Sequence, residues 1–258
     1  MSKFIKNESN LRYFIEIAFK GTNFHGWQIQ PNATSIQETI QNGMETLLGQ
    51  KIEIIGAGRT DAGVHATQIF AHFDSDKTLN TKDLTYKLNA VLPKTILVKQ
   101  IFKVSKNAHA RFDAFSRSYE YRIHKEFSPF DIDTTWQIVN RDFDIKKMNK
   151  AAQALLQHTN FKAFSKSKTD VKHYDCNITR AEWVEIKSNL VFYISANRFL
   201  RGMVRAIVGT LLEVGEGKLS VVDFEKVILG QNRKNAGVSV PAKALFLTAV
   251  RYPDTISI

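Results

Sequence analysis

The chain has 258 residues, of which 43% are hydrophobic, and this composition excludes a disordered or low-complexity protein. Its length allows one large domain or two small ones, each with a core of its own. The 36 lysines and arginines exceed the 25 aspartates and glutamates and give a net charge of +11. A surplus of this size favours a polyanionic partner such as a nucleic acid, and the alternative is a basic surface that serves solubility alone.

The sequence contains no pattern that indicates a membrane-spanning segment or a metal site. No uncharged apolar run approaches the ~20 residues that cross a bilayer, and residues 1–10 contain no apolar stretch of signal-peptide length. The single Cys176 permits no internal disulfide and has no second ligand nearby, so it is expected to be a small buried hydrophobe. We therefore expect a cytoplasmic protein that binds neither a membrane nor a metal.

The first half of the chain alternates strand and helix patterns. One helix has the apolar face Ile36, Ile40, Met44, Leu47 and Leu48; it begins with a capping box of Ser35 and Glu38 and ends at Gly49. A second helix has apolar residues at 84, 88, 91 and 92. Strands are predicted at 13–19, near 52–55, at 69–73 and at 96–104. The order is β-α-β-β-α-β.

The second half repeats this order with one additional helix. Strands are predicted at 119–123, on both sides of the turn at 187–189, and at 245–250; helices are predicted around 148–156, at 199–212 and at 222–229. Two β-α-β-β-α-β units predict an α+β fold of two tandem ferredoxin-like (RRM-like) halves with adjoining antiparallel sheets. We place the boundary near 106–115, which divides the chain into 1–107 and 108–258.

The loop before the third predicted strand presents a carboxylate between two glycines, in the string Gly58-Arg59-Thr60-Asp61-Ala62-Gly63-Val64-His65-Ala66. Glycines at both ends let the backbone take positive φ and approach a ligand closely. Arg59 next to Asp61 would favour its ionised form. The alternative is a hairpin turn in which Asp61 bonds its own backbone and Arg59 is a solvated charge.

The helix predicted after residue 198 has three different faces. Arg198, Arg201 and Arg205 form one stripe without an interleaved glutamate or lysine, which favours phosphates or a carboxylate partner over a solvated polar face. On a second face, Gly202, Ala206 and Gly209 would let a neighbour pack closely, and a third face is apolar.

Two tyrosines at strand spacing provide aromatic surface. Tyr119 and Tyr121 project from the same face of their strand, where a ring could stack on a base. The alternative is that both are core aromatics, and for Tyr121 this is the better interpretation.

The Asp61 loop, together with six further motifs in the same order, closely resembles the TruA family of bacterial tRNA pseudouridine synthases. The resemblance runs from about residue 12 to 253, nearly the full chain. The further motifs are Phe24-His25-Gly26-Trp27-Gln28-Ile29-Gln30, Leu88-Asn89-Ala90-Val91-Leu92-Pro93, Ala108-His109-Ala110-Arg111-Phe112, Tyr119-Glu120-Tyr121, Phe199-Leu200-Arg201-Gly202-Met203-Val204-Arg205 and Pro241-Ala242.

The resemblance implies roles for individual residues and a central RNA-binding cleft between the halves. Asp61 would be the nucleophile, Arg59 would fill the space of a flipped-out base, Arg205 would lie near Asp61, and Tyr119 would pack on the target uracil. Further candidates for substrate binding, without an individual role derived from the sequence, are Arg201, Arg198, Arg111, His109 and Leu245.

The implied reaction converts uridine to pseudouridine without a cofactor. Asp61 would attack the ribose or the uracil ring, or remove a ribose proton to give a glycal, and the sequence leaves these routes open. By resemblance the substrates are uridines 38, 39 and 40 in the anticodon stem-loop of tRNAs, and the enzyme is a homodimer that grips one tRNA across both subunits.

Alternative functions differ in what they require of the chain. A noncatalytic RNA-binding module would gain nothing from Asp61, because a carboxylate repels phosphate. A zinc-dependent base deaminase needs two or three closely spaced Cys or His ligands, and this chain has one cysteine. A synthase of the same family with other RNA targets stays open, because residues 157–161 and Ala244 depart from the family pattern.

Overall fold

The structure, a computed structural model, describes residues 11–167 and 171–256 as an α+β protein with nine strands in one mixed sheet and five α-helices. Residues 1–10, in which no signal peptide is expected, lie outside the described residues. Within the described ranges, no helix is both long enough and apolar enough to traverse a lipid bilayer.

The first-half elements follow the predicted order. They are β1 (Leu11–Phe19), α1 (Ile36–Leu48), β2 (Ile55–Gly56), β3 (His65–Ser75), α2 (Thr81–Val91) and β4 (Ile96–Val104). As predicted, Ser35 Oγ caps the start of α1 by accepting from Glu38 N at 3.2 Å, and Gly49 ends the helix in the left-handed region with φ +67°.

The strand predicted near 52–55 is wrong for most of its length, because only Ile55 and Gly56 pair with β3. Side chains of α1 form hydrogen bonds to the backbone groups that would otherwise pair with a neighbouring strand. Glu45 accepts from Ile52 N at 3.2 Å, and Gln37 Nε2 donates to the carbonyl oxygen of Ile54 at 2.7 Å. Ile52 and Ile54 are buried, so their apolar pattern reports packing against the helix rather than strand pairing.

The second-half elements are β5 (Ser116–His124), β6 (Trp136–Gln137), α3 (Ile145–Ala154), β7 (Ile178–Ile186), β8 (Asn189–Ala196), α4 (Met203–Gly215), α5 (Val221–Leu229) and β9 (Leu245–Arg251). The helix predicted to begin at residue 199 begins at Met203, because Gly202 takes φ +71° and breaks the helical path. Arg198 and Arg201 therefore precede α4, and the predicted stripe of three arginines on one helix is wrong.

The sheet is continuous, with strand order β4-β1-β3-β9-β5-β8-β7, while β2 pairs with β3 and β6 with β5. It is mixed rather than the predicted pair of antiparallel sheets, since β9 runs antiparallel to β5 but parallel to β3, with His65 opposite Phe246. The connection 57–64 leaves β2 and enters β3 where β9 joins the sheet. The Asp61 loop therefore lies where β3 meets β9, and we call this part of the sheet the junction.

Two hydrophobic cores lie on either side of this junction. The first contains Tyr13, Ile15, Ile36 and Leu88, and the second contains Tyr121, Phe192, Ile207 and Phe224. Strand β9 contributes Leu247 and Val250 to the first core and Leu245 to the second. Cys176 is buried in the second core, as predicted, and burial raises the pKa of its thiol to about 11.

Candidate active site

The Asp61 loop closes with a β-turn over residues 61–64. Val64 N donates to the carbonyl oxygen of Asp61 at 3.2 Å, and Gly63, the third residue of the turn, has φ +78°. The positive φ predicted for both glycines holds for Gly63 but is wrong for Gly58, which lies outside the left-handed region with open space around its Cα. Within the Asp61 loop, only position 63 at the tip of the turn therefore requires a glycine.

Residues 21–27, which follow β1, hold this loop by direct contact between backbones. A Cβ at Gly26, where φ is +89°, would lie 2.3 Å from the carbonyl oxygen of Thr60. A Cβ at Gly21 would lie 2.0 Å from the carbonyl oxygen of Val64. Since real Cβ atoms do not approach this closely, both positions require glycine, and at these two positions the backbones of the two segments are in direct contact.

His65 anchors the end of the loop. Its side chain is buried, Nδ1 accepts from Gly21 N at 3.0 Å, and Nε2 lies 2.9 Å from the carbonyl oxygen of Lys243 and 3.0 Å from that of Asp133. Burial lowers the pKa of His65, so the ring is neutral with its hydrogen on Nε2. One imidazole thus connects three separate segments at the base of the loop.

The Asp61 carboxylate faces two arginines from the opposite side of the junction. Arg205 Nη1 lies 3.5 Å from Oδ2 and Arg201 Nε lies 3.9 Å from Oδ1, while the Asp61 side chain is 27% exposed. Arg59 is exposed, and in residues 11–167 and 171–256 it forms no ion pair with Asp61. The cations that lie next to the Asp61 carboxylate therefore come from α4 and the segment before it, not from Arg59.

Packing of the loop 236–241 on α4 fixes the direction of the Arg205 side chain. Arg205 Nε donates to the carbonyl oxygen of Val240 at 2.6 Å, which turns Nη1 toward Asp61. The loop approaches α4 at Gly209, where a Cβ would lie 1.9 Å from the carbonyl oxygen of Val238. The predicted close approach on this face is therefore confirmed at Gly209.

Tyr119 provides the aromatic surface near Asp61. Its ring contacts Phe199 edge to face with centroids 5.2 Å apart. Burial, and to a smaller extent the negative charge of Asp61, raises the pKa of Tyr119 to about 12, so its hydroxyl stays protonated at neutral pH. Tyr121 is fully buried and its hydroxyl donates to the carbonyl oxygen of Pro241 at 3.0 Å, which confirms it as a core aromatic.

Four other predicted site residues lie farther from the carboxylate. Arg198 Nη1 is 2.9 Å from Nε2 of His173; His109 Nδ1 accepts from Arg111 N at 3.1 Å; Leu245 is 5% exposed in the second core. Within the described parts of the chain, no hydrogen bond or ion pair joins Arg198, His109, Arg111 or Leu245 to Asp61. The structure therefore groups Asp61 with Arg201, Arg205 and Tyr119.

Sequence reasoning missed Arg117, whose guanidinium donates to four backbone carbonyls around the site. Strand alternation was an available signal, because Arg117 lies two residues before Tyr119 and projects from the same face of β5. Among the described residues, no group of three or more His, Cys, Asp and Glu side chains is arranged to hold a metal ion.

The fold and site define a class of enzyme: a basic α+β protein that presents one ionised carboxylate, two arginines and an aromatic ring at the junction of two cores. The family model described as tRNA pseudouridine synthase matches residues 16–113 and 151–253. This chain belongs to that family, whose members are isomerases, and the resemblance found in the sequence motifs is confirmed.

Similar proteins from several bacteria cover nearly the whole chain. The tRNA pseudouridine synthase A of Bacteroides fragilis is 52% identical over 247 residues, which are 95% of this chain and 98% of the relative. That of Bacteroides thetaiotaomicron is 49% identical over 95% of this chain and 92% of the relative. That of Bacillus licheniformis is 37% identical over 95% of this chain and 100% of the relative.

Proposed function

We propose that this chain isomerises uridine in tRNA to pseudouridine with Asp61 as the nucleophile. The bond from the ribose carbon to N1 of uracil breaks, the uracil rotates, and the same ribose carbon bonds to C5; C5 then loses its hydrogen as a proton and N1 gains one, so nothing is oxidised and no cofactor is needed. The chemistry requires one ionised carboxylate. The observation that carries the proposal is the Asp61 carboxylate, 3.5 Å from Arg205 and 3.9 Å from Arg201 on a turn held by backbone contacts.

The neighbours of Asp61 take complementary roles in this reaction. Arg205 pairs with the carboxylate and holds it in one orientation. Tyr119, backed by Phe199, packs on the target uracil and keeps the detached base from leaving and water from entering. Arg59 is exposed on the same loop as Asp61, so it is available to occupy the space that a flipped-out base leaves in the RNA stem.

The remaining candidates are proposed to bind the RNA outside this centre. Arg111 and Arg198 are suited to phosphates, and Arg201 is 62% exposed, so it can contact both Asp61 and RNA. His109 supports the segment that carries Arg111 through its bond to Arg111 N. Leu245 is nearly fully buried and shapes the cleft from within the second core.

We infer that the sheet comprises two ferredoxin-like halves, with residues 1–107 and 108–258 as the units and an RNA-binding cleft between them. Strand order supports this inference, because the first half runs β4-β1-β3-β2 and the second runs β9-β5-β8-β7. Once the two-residue strand β6, which pairs with β5 outside this path, is left out of the numbering, both halves have the strand order fourth, first, third, second. Aromatic and basic side chains at the junction suit single-stranded or flipped-out nucleotides.

The substrate is proposed to be the anticodon stem-loop of tRNAs, at uridines 38, 39 and 40, in the cytoplasm. The motifs of the Asp61 loop, together with relatives named tRNA pseudouridine synthase A, support this choice. A homodimer that binds one tRNA across both subunits is part of the proposal. The alternatives are a synthase of the same family with other RNA targets and a noncatalytic RNA-binding protein.

Mapping pseudouridine in modified transcripts tests the proposal. Three tRNA transcripts would each carry a single uridine at position 38, 39 or 40, and matched transcripts would carry cytidine there. We expect pseudouridine at these positions and nowhere else. Pseudouridine at other positions would favour other RNA targets, and binding without any product would favour the noncatalytic alternative. Sedimentation of the free protein and its tRNA complex tests the dimer.

A further inference from the structure

Arg117 in β5 makes an unusual set of contacts at the edge of the site. Its Nη1 donates to the carbonyl oxygens of Ala114 at 2.5 Å and Asn197 at 2.8 Å. Its Nη2 donates to the carbonyl oxygens of Arg111 at 2.7 Å and Ala57 at 3.2 Å. The two terminal nitrogens of a guanidinium carry four hydrogens, so all of them are used by the protein backbone.

Because its terminal hydrogens are occupied, Arg117 is not available as a phosphate ligand. A bidentate bond to a phosphate needs two free N–H groups on one side of the guanidinium, and here every terminal N–H meets a carbonyl. Desolvation lowers the pKa of Arg117, as expected for a cation withdrawn from water, although an arginine keeps its charge. A role within the protein fits these contacts better than a role in RNA binding.

Two of the four carbonyls that Arg117 bonds, those of Ala57 and Asn197, lie at the start of the two segments that meet at Asp61. Ala57 precedes Arg59 and Asp61 in the loop between β2 and β3, and Asn197 precedes Arg201 in the segment between β8 and α4. Ala57 belongs to the first core, and Asn197 follows a strand of the second. The two segments touch again at the ion pair of Asp61 with Arg201.

We propose that Arg117 is a positioning residue whose guanidinium ties the Asp61 loop to the segment that carries Arg201, and thereby fixes the carboxylate relative to its arginines. This inference rests on the proposed role of Asp61. The planar guanidinium has donors on two terminal nitrogens. One bonds the carbonyls of Ala114 and Asn197, and the other bonds those of Arg111 and Ala57. A lysine ammonium has all three donors on one nitrogen and cannot span them.

The first test is kinetic and compares Arg117→Lys, Arg117→Gln and Arg180→Lys. Arg180 is the matched control, an arginine in β7 of the same sheet that pairs with Glu182 and lies over the ring of Tyr193. We expect both Arg117 variants to lower the single-turnover rate of pseudouridine formation by about tenfold or more, with tRNA affinity within about twofold of wild type. The control should react at the wild-type rate.

Salt dependence of tRNA binding separates positioning from phosphate contact. Removal of one phosphate contact lowers the slope of log affinity against log salt by about one. We expect the wild-type slope in both Arg117 variants. A slope lowered by about one, with an unchanged single-turnover rate, would identify Arg117 as an RNA ligand and overturn the proposal.

Hydrogen exchange gives a readout that does not depend on activity. In Arg117→Lys we expect amides within 58–64 and 197–202 to exchange at least about tenfold faster, while amides of β1 stay as protected as in wild type. Unchanged exchange in both segments would overturn the proposal even if Arg117→Gln failed to fold. Absence of pseudouridine with wild-type protein would instead contradict the proposed function, and hydrogen exchange would still decide the role of Arg117.

Discussion

At the scale of single residues, the environment of Asp61 is asymmetric. Arg205 is 23% exposed and is oriented by its bond to Val240, whereas Arg201 is 62% exposed and lies farther from the carboxylate. A charge that is partly buried and held in place interacts more strongly than one surrounded by water. Arg205 is therefore the main electrostatic partner of Asp61, and Arg201 is the more solvent-exposed one.

Arg205→Lys should reduce turnover with little change in tRNA affinity. A lysine cannot both bond the Val240 carbonyl and reach Asp61, since its donors share one nitrogen. A hydrogen bond to a charged group contributes about 1.5–3 kcal/mol, so we expect a loss of about ten- to hundredfold in kcat. Arg201→Lys is the comparison and should lose less. An Arg201→Lys loss equal to or larger than that of Arg205→Lys would contradict this ranking.

Arg59→Ala separates base flipping from RNA binding. Arg59 is exposed and does not pair with Asp61, so its removal leaves the carboxylate in place. We expect turnover of tRNA to fall much more than affinity, because the flipped state of the base loses its support. Filter binding and single-turnover kinetics measure the two effects separately. A variant that binds tRNA poorly but reacts normally once bound would disprove the assignment.

At the scale of elements, the Asp61 loop is positioned by close backbone contacts together with the side chains of His65 and Arg117. Gly21 and Gly26 bring the segment after β1 against residues 60–64, and Arg117 holds the carbonyl oxygen of Ala57 at the other end of the loop. Such contacts leave little room for adjustment, because a Cβ at either glycine would meet a carbonyl oxygen. The loop geometry therefore depends on residues that carry no reactive group.

Gly26→Ala should lower activity more than Gly49→Ala, although both glycines have positive φ, +89° and +67° respectively. Both substitutions carry a backbone strain of roughly 1–2 kcal/mol. Only the Cβ at Gly26 meets the loop, at 2.3 Å from the Thr60 oxygen, whereas a Cβ at Gly49 would have no atom of the described chain, apart from its chain neighbours, within 4 Å. We expect a larger loss of Tm in Gly26→Ala than in Gly49→Ala, and a kcat reduced by about tenfold or more only in Gly26→Ala. Equal kcat values in the two variants would refute the steric argument.

The elements that sequence patterns predicted well are those with an amphipathic face, such as α1 with its Ser35 and Gly49 caps. The patterns failed where a side chain replaced a backbone partner or where one glycine changed the chain direction. Ile54 looked like part of a strand, but its carbonyl bonds to Gln37. Helix α4 appeared continuous from residue 199, but Gly202 sets its start. Neither effect appears in hydrophobic periodicity.

Sequence motifs named three of the residues that the structure brings together at the candidate site, Asp61, Tyr119 and Arg205. The pairing of Arg201 with Asp61, and the absence of such a pair for Arg59, depend on how two distant segments meet. Arg117 acts through backbone carbonyls, which have no sequence signature. Long-range geometry of this kind becomes visible only in the folded chain.

At the scale of the whole molecule, the candidate active site lies where the two cores meet, and buried neutral histidines hold connecting segments in place. His72 is 2% exposed, its Nδ1 accepts from Ala110 N at 3.1 Å, and its ring lies 4.5 Å from that of His109. Burial, with a smaller contribution from the charge of Arg12, lowers the pKa of His72 to about 4. Protonation of such a ring would break its bond to residue 110.

The protein should lose stability between pH 6.5 and 4. The folded-state pKa of His72, about 4, lies below the unfolded value of 6.5, so its contribution is fully present above pH 6.5 and is lost as pH falls through 4. The difference amounts to on the order of 3 kcal/mol. Urea unfolding across this range measures it. His72→Asn keeps an acceptor without a titrating ring and should show a weaker pH dependence; an unchanged dependence would contradict the assignment.

Release of tritium from tRNA labelled at uracil C5, with wild-type protein and Asp61→Asn compared side by side, tests the central claim most directly. Asparagine preserves the size of the side chain but removes the charge that Arg205 and Arg201 face. We predict release by the wild type and none by Asp61→Asn, which should still bind tRNA. Release by Asp61→Asn at the wild-type rate would show that this carboxylate is not the nucleophile.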